Sequence, residues 1–159
     1  MAAREGACFE SRKESRVKTP AESGKAAVFL NRQGETVLLV HADKFCRKGR
    51  DGCNDCFFEQ DQRVADYIVS KPGTVDVIVE LKGTDLMGAV SQIEATIPPW
   101  RAHERCSGKL GALIVSSKGG CHPNVFAKFL IKQELFKKRG IKLRHATDPC
   151  AEFEFSAFE

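Results

Sequence analysis

A mixed α/β domain is what the sequence predicts, on three observations. Runs of β-branched residues broken by turn residues fill the first half of the chain. Two stretches with helical apolar spacing follow, separated by a short apolar block, so the order reads strands, helix, strand, helix, strand. The length, 159 residues of which 42% are hydrophobic, suits one such domain. A chain of that size buries roughly two-thirds of its unfolded surface without disulfides or metals.

Residues 1–25 mix charges with Ser, Pro and Gly and show no sustained period. They read as a flexible arm ahead of a single domain over 26–159. Ala27-Val28-Phe29-Leu30 leads through Asn31-Arg32-Gln33-Gly34 into Thr36-Val37-Leu38-Leu39-Val40, a hairpin signal with Gly at the turn. A polar, cysteine-bearing stretch covers Asp43 to Asp61. A second hairpin follows: Arg63 to Ser70, the turn Lys71-Pro72-Gly73, then Thr74 to Lys82. Thr84 or Asp85 caps a helix over Leu86 to Thr96, with Leu86, Val90, Ile93 and Ile97 on one face and Pro98-Pro99 as its stop. Ala112 to Ser116 reads as a short buried strand. Pro123 opens a second helix, with Val125, Phe126, Phe129, Leu130 and Leu135 inward and its lysines outward. Gly140 ends that helix, and Ile141 to Arg144 begins a final strand.

No apolar run approaches the roughly 18 residues that span a bilayer, and the charged N-terminus lacks the apolar region of a secretory signal. The expectation is a cytoplasmic protein with no membrane partner. The net charge of +4 is modest, but its distribution is not. Lys118 to His145 holds eight Lys/Arg against the single acid Glu134, and Ala146 to Glu159 holds four acids and no base.

The segment Thr74-Val75-Asp76-Val77-Ile78-Val79-Glu80-Leu81-Lys82 carries the chemistry. Alternation along a strand places Val75, Val77, Val79 and Leu81 on one face, with Asp76, Ile78, Glu80 and Lys82 on the other. If the turn occupies Pro72-Gly73-Thr74, Lys71 pairs with Val75 and Asp66 falls opposite Glu80 on the same face. A two-residue turn would instead set Asp66 against Val79. Given the first register, two carboxylates and one ammonium converge. Hard oxygen ligands on rigid strands suit Mg²⁺, and a neighbouring lysine can orient a water or neutralise a phosphate. Metal-dependent hydrolysis of a phosphodiester is the chemistry that fits.

Asp66, thirteen intervening residues and then Glu80-Leu81-Lys82 resembles the PD-(D/E)XK nuclease superfamily, over about residues 60–97. The resemblance implies a restriction-endonuclease-like core, a mixed central sheet flanked by helices. It implies Asp66, Glu80 and the Leu81 carbonyl as ligands for Mg²⁺ or Mn²⁺, and Lys82 as the catalytic lysine. Gln92 resembles the glutamine that some branches place beside the site. Ala65 stands where the family name has Pro. For the acid that many members carry on an earlier helix, Asp51 and Glu59 are candidates, with Glu22 a third. A nuclease of this kind cuts one strand per site, so cutting both strands of DNA would take a homodimer.

Cys53-Asn54-Asp55-Cys56, with Cys46 seven residues earlier, reads as candidate zinc ligands, as free thiols, or as a redox pair or disulfide. Cys121-His122 would supply further zinc ligands if its loop folds back. His41, His103 and His145 read as ordinary, partly exposed histidines. Lys118, Lys128, Lys132, Lys137, Lys138 and Arg139 form a basic helix that could track a nucleic-acid backbone, DNA favoured; the plain alternative is a solvated face. Trp100 reads as rim or core. Phe153, Phe155 and Phe158, alternating with acids, read as an edge strand or a dimer contact. Two functional readings compete with the nuclease: a non-catalytic nucleic-acid-binding module on the same fold, and a protein-interaction module of immunity type.

Overall fold

A computed structural model describes residues 8–50, 53, 56–117 and 122–159. Its strands are β1 (Phe9–Arg12), β2 (Arg16–Lys18), β3 (Val28–Leu30), β4 (Val37–Val40), β5 (Tyr67–Lys71), β6 (Val75–Leu81), β7 (Leu110–Val115), β8 (Lys142–Ala146) and β9 (Glu152–Glu154). Its helices are the single turn α1 (Ala42–Phe45), then α2 (Leu86–Arg101) and α3 (Pro123–Lys138), and a 3₁₀ turn follows at Phe155–Phe158. The architecture is α/β, with a mixed sheet of order β1-β4-β5-β6-β7-β8. Pairing is antiparallel from β1 to β6 and parallel from β6 to β8. Strands β2, β3 and β9 form a second, small sheet.

Every residue of β6 is buried, because both faces of the large sheet are covered. Val75, Val77, Val79 and Leu81 pack with Val17 and Phe29 of the small sheet and with Phe155 and Phe158. Ile78 packs on the opposite face with Val90, Ile93, Trp100 and Phe129 of the helices. The molecule is therefore a central sheet between a helical layer and a small sheet. At Gly111 in β7, a Cβ would stand 2.6 Å from Cβ of Phe158, so that close approach requires glycine.

Several expectations are corrected. Residues 8–25 are not a loose arm: β1 is the edge strand of the large sheet, and Val17 in β2 is fully buried. Short strands with isolated apolar residues give no periodic signal, and partners far along the chain stabilise them. The hairpin expected over 27–40 does not form either, since β3 pairs with β2 and β9 whereas β4 pairs with β1 and β5. The chain crosses between sheets after Leu30, where the Asn31 side-chain amide donates to the Glu14 and Glu35 carbonyls.

Helix α2 runs through Pro98-Pro99 to Arg101. Pro99 cannot bond the Ala95 carbonyl, which instead accepts from Nε2 of Gln62 at 2.9 Å. Trp100 belongs to the core and donates to Asp76 at 2.9 Å. On α3, Phe129 and Phe136 are buried while Phe126, Leu130, Ile131 and Leu135 are exposed, because the helix meets β8 and α2 along one face alone. Phe153 lies in β9, an edge strand, and Phe155 and Phe158 bury themselves in this chain's own core. No helix among the described residues is long and apolar enough to cross a membrane.

Candidate active site

The turn between β5 and β6 is Lys71-Pro72-Gly73-Thr74, closed by Thr74 N–H donating to the Lys71 carbonyl at 2.9 Å. Gly73 adopts φ +75, a left-handed conformation that costs glycine little. The turn pairs Lys71 with Val75 and Tyr67 with Val79, the odd-length register that brings Asp66 to Glu80. Asp66 sits just before β5, and its Oδ2 accepts from the Leu81 N–H at 2.9 Å. That bond holds the carboxylate against the end of β6.

Glu80 projects to the helical face and is 2% exposed. It shares a hydrogen bond with Asp66. Burial, and then the charge of Asp66, pushes the Glu80 carboxyl up to about 8, while Lys82 pulls it the other way. Burial likewise raises Asp66, against the lowering effect of the Leu81 N–H. Both carboxyls are raised and share a hydrogen bond, so the pair tends to hold a proton between them.

Gln92 completes the arrangement from the second turn of α2. Its Nε2 donates to the Val64 carbonyl at 3.0 Å and lies 3.3 Å from Oε2 of Glu80, and its Oε1 accepts from Nζ of Lys82. One amide thus fixes both the acid and the ammonium. Asp85 caps α2 by accepting from Gly88 N–H at 2.9 Å, which sets the register of Gln92 on the helix.

Two acids outside the hairpin act on Asp66. Glu22 accepts from the Tyr67 hydroxyl at 2.7 Å and pairs with Lys44 at 2.8 Å. Asp43 lies in α1, and its backbone N–H is 3.4 Å from the Asp66 carbonyl. Both charges raise the Asp66 carboxyl. Glu22 was the third of the sequence candidates for the earlier acid. Asp43 was missed: one helical turn, with no apolar period, leaves no signal. Glu59 is exposed and ion-paired to Lys48. Asp51 lies outside the described residues.

Asp76, on the same strand face as Glu80, plays a different part. Fully buried, it accepts from Trp100 Nε1 at 2.9 Å, Ser107 N–H at 2.8 Å and Ser70 Oγ at 2.6 Å. Those partners make it a structural anchor.

The basic residues scatter. Lys118 lies outside the described residues. Lys132 pairs with Glu94 of α2 at 3.0 Å, and Lys128, Lys137, Lys138 and Arg139 are exposed. His41 is buried, contrary to expectation, and bonds Glu10 at 3.0 Å. His145, half-buried, contacts Ser116, and burial lowers its pKa. Sγ atoms of Cys8, Cys53 and Cys56 lie within 4.8 Å of one another, a cluster able to hold a metal ion. Cys8 with Cys46, and Cys53 with Cys56, stand at disulfide distance. Cys121 lies outside the described residues, while Cys106 and Cys150 are free thiols.

Comparison of the chain with protein-family models, with curated proteins and with solved structures gives no match.

Proposed function

We propose that Asp66, Glu80, Lys82 and Gln92 form the active site of a metal-dependent nuclease that hydrolyses phosphodiester bonds, with DNA the favoured substrate. One observation carries the reading: the Asp66 and Glu80 carboxyls meet at the end of β6 with Lys82 beside them, bridged by the Gln92 amide. A structural pair of buried carboxyls would be expensive without a counter-charge, and a divalent cation supplies one. The donor set is hard oxygen throughout, with Glu22 and Asp43 adding negative charge nearby, which fits Mg²⁺ or Mn²⁺. Asp66, Glu80 and the Leu81 carbonyl would hold the ion. When bound, such an ion lowers the pKa of a coordinated water and offsets charge on phosphate.

The chain's own residues do the rest. Asp66 is oriented by the Leu81 N–H at Oδ2 and hydrogen-bonds the Glu80 carboxyl. Lys82, fixed by Gln92, presents its ammonium where charge develops on the phosphate oxygens. Gln92, anchored by the Val64 carbonyl, positions both groups without itself exchanging a proton.

The experiment is cleavage of supercoiled plasmid and of labelled single-stranded DNA and RNA, with Mg²⁺, Mn²⁺ or EDTA. Wild-type protein is expected to cut in either metal and not in EDTA. Glu80→Ala and Lys82→Ala, shown to be folded, are expected to lose at least 100-fold, on the order set by general acid–base and electrostatic contributions. Folded wild-type protein that binds DNA and cuts none of these substrates would point to a binding module. The exposed stripe Phe126, Leu130, Ile131 and Leu135 on α3 favours a protein-interaction role as the second reading. That role predicts no salt-sensitive affinity for nucleic acid.

A further inference from the structure

We propose that Cys8, Cys46, Cys53 and Cys56 together bind one zinc ion as four thiolates. The proposal is independent of the nuclease reading. The four residues come from three separate parts of the chain. Cys8 immediately precedes β1, Cys46 immediately follows α1, and Cys53 and Cys56 sit in the loop that returns to Phe58. Three of their sulfurs nevertheless meet: those of Cys8, Cys53 and Cys56 lie within 4.8 Å of one another, and that of Cys46 is against Cys8 on the far side of the trio. Four thiolates around zinc stand about 3.8 Å apart, given Zn–S bonds near 2.3 Å in a tetrahedron.

Zinc with four thiolates carries two net negative charges, which require cations or N–H donors close by. The Arg50 guanidinium lies 4.5 Å from the Phe45 ring centroid, next to Cys46 in sequence. The Arg105 guanidinium lies 4.4 Å from the Phe9 ring centroid, next to Cys8. Behind the sulfurs, Cys8 and Cys46 are buried among Phe9, Phe57 and Phe58, a wall that limits access of water. A pair of disulfides would explain the contacts within each pair but not the approach of Cys8 to both Cys53 and Cys56.

The loop itself supplies a reason for the metal. Between Cys46 and Phe58 the described residues form one bridge, Arg47 with Phe58, and no strand or helix. A bond between Cys53 and Cys56 would close a very short loop and tie it to nothing else. Zinc would join that loop to both β1 and α1, which is how a segment with little secondary structure gains a fixed fold. Binding takes four thiols and one Zn²⁺ to the tetrathiolate complex and releases four protons, with no change of oxidation state.

The test uses the whole chain, expressed with zinc, purified under reductant and without chelator. Elemental analysis should find one zinc per chain. Zinc-edge X-ray absorption of the unaltered protein should find four sulfur neighbours. Cys8→Ser should lower zinc content as far as Cys53→Ser does, whereas Cys106→Ser should leave it unchanged. If a serine variant fails to fold, the absorption spectrum of the unaltered chain still decides the ligand set. Nitrogen or oxygen among the zinc neighbours would overturn the proposal. So would iron with labile sulfide, or a metal-free chain whose denatured mass is four hydrogens below that of the fully reduced one.

Discussion

Asp76 and Glu80 lie on one strand, point to one face and are both buried, yet their neighbours give them opposite roles. Asp76 receives three hydrogen-bond donors, including the Trp100 indole. Asp76→Ala would leave those donors unsatisfied in the core and is expected to cost about 3 kcal/mol or more, read as a lowered midpoint in urea. An unchanged midpoint would remove its anchoring role. Glu80 meets Asp66 instead, and its carboxyl is raised from 4.5 to about 8. A raised carboxyl stabilises the fold below its unfolded value, and that contribution is lost as pH climbs through the folded value. Metal-free protein should therefore melt at lower temperature as pH rises from 4.5 toward 8, and Glu80→Gln should flatten the trend. Parallel melting profiles for the two proteins would contradict the burial argument. Added Mg²⁺ should recover stability at the upper end of that range, because it favours the ionised pair.

Elements show where local rules gave way to packing. Pro98-Pro99 would end an isolated helix, but α2 continues because Gln62 serves the Ala95 carbonyl and Trp100 is held by Asp76. Gln62→Ala is expected to lose about 1 kcal/mol, one net hydrogen bond, in a denaturation experiment. A loss near zero would mean that the Trp100 anchor alone carries the last turn. Helix α3 contrasts with α2. Its apolar residues exceed what one contact face can cover, so Phe129 and Phe136 are buried and four large apolar side chains remain outside. The spacing identifies a helix in both cases. How many of its faces meet neighbours depends on the sheet edge, which the spacing does not contain.

At the scale of the whole molecule, the parallel pairing of β6, β7 and β8 sorts the charges. The carboxyl ends of β6 and β7 carry Lys82 and the loop into α3, where Ser117 N–H donates to the Gly83 carbonyl at 2.8 Å. Helix α3 then runs back, and 16 residues take it roughly 24 Å away before Lys142 pairs opposite Gly111. Lys128 is near the site end, and Lys137, Lys138 and Arg139 are at the far end. If nucleic acid lies across the carboxylates, Lys128→Ala should weaken cleavage more than Lys137→Ala or Lys138→Ala. It should also lower the slope of log affinity against log salt by about 0.9. Equal effects from all three lysines would place the substrate along the helix instead.

The β5–β6 hairpin and its charged face were legible in the sequence because alternation and turn chemistry are local, while the register stayed open between two turn lengths. Alternation along β6 assigns the faces, and the length of the Pro72-Gly73-Thr74 turn decides whether Asp66 meets Glu80 or Val79. Gln92 was reached only through the family resemblance; its place on α2, after the Asp85 cap, is what the structure adds. What tertiary structure alone decided are partners distant in sequence. It paired β1 with β4, sent β3 to a separate sheet with β9, brought Asp43 to Asp66, and gathered Cys8 with Cys46, Cys53 and Cys56. Each of these is a contact whose free energy comes from burial and charge in the assembled fold, so no window of neighbouring residues records it.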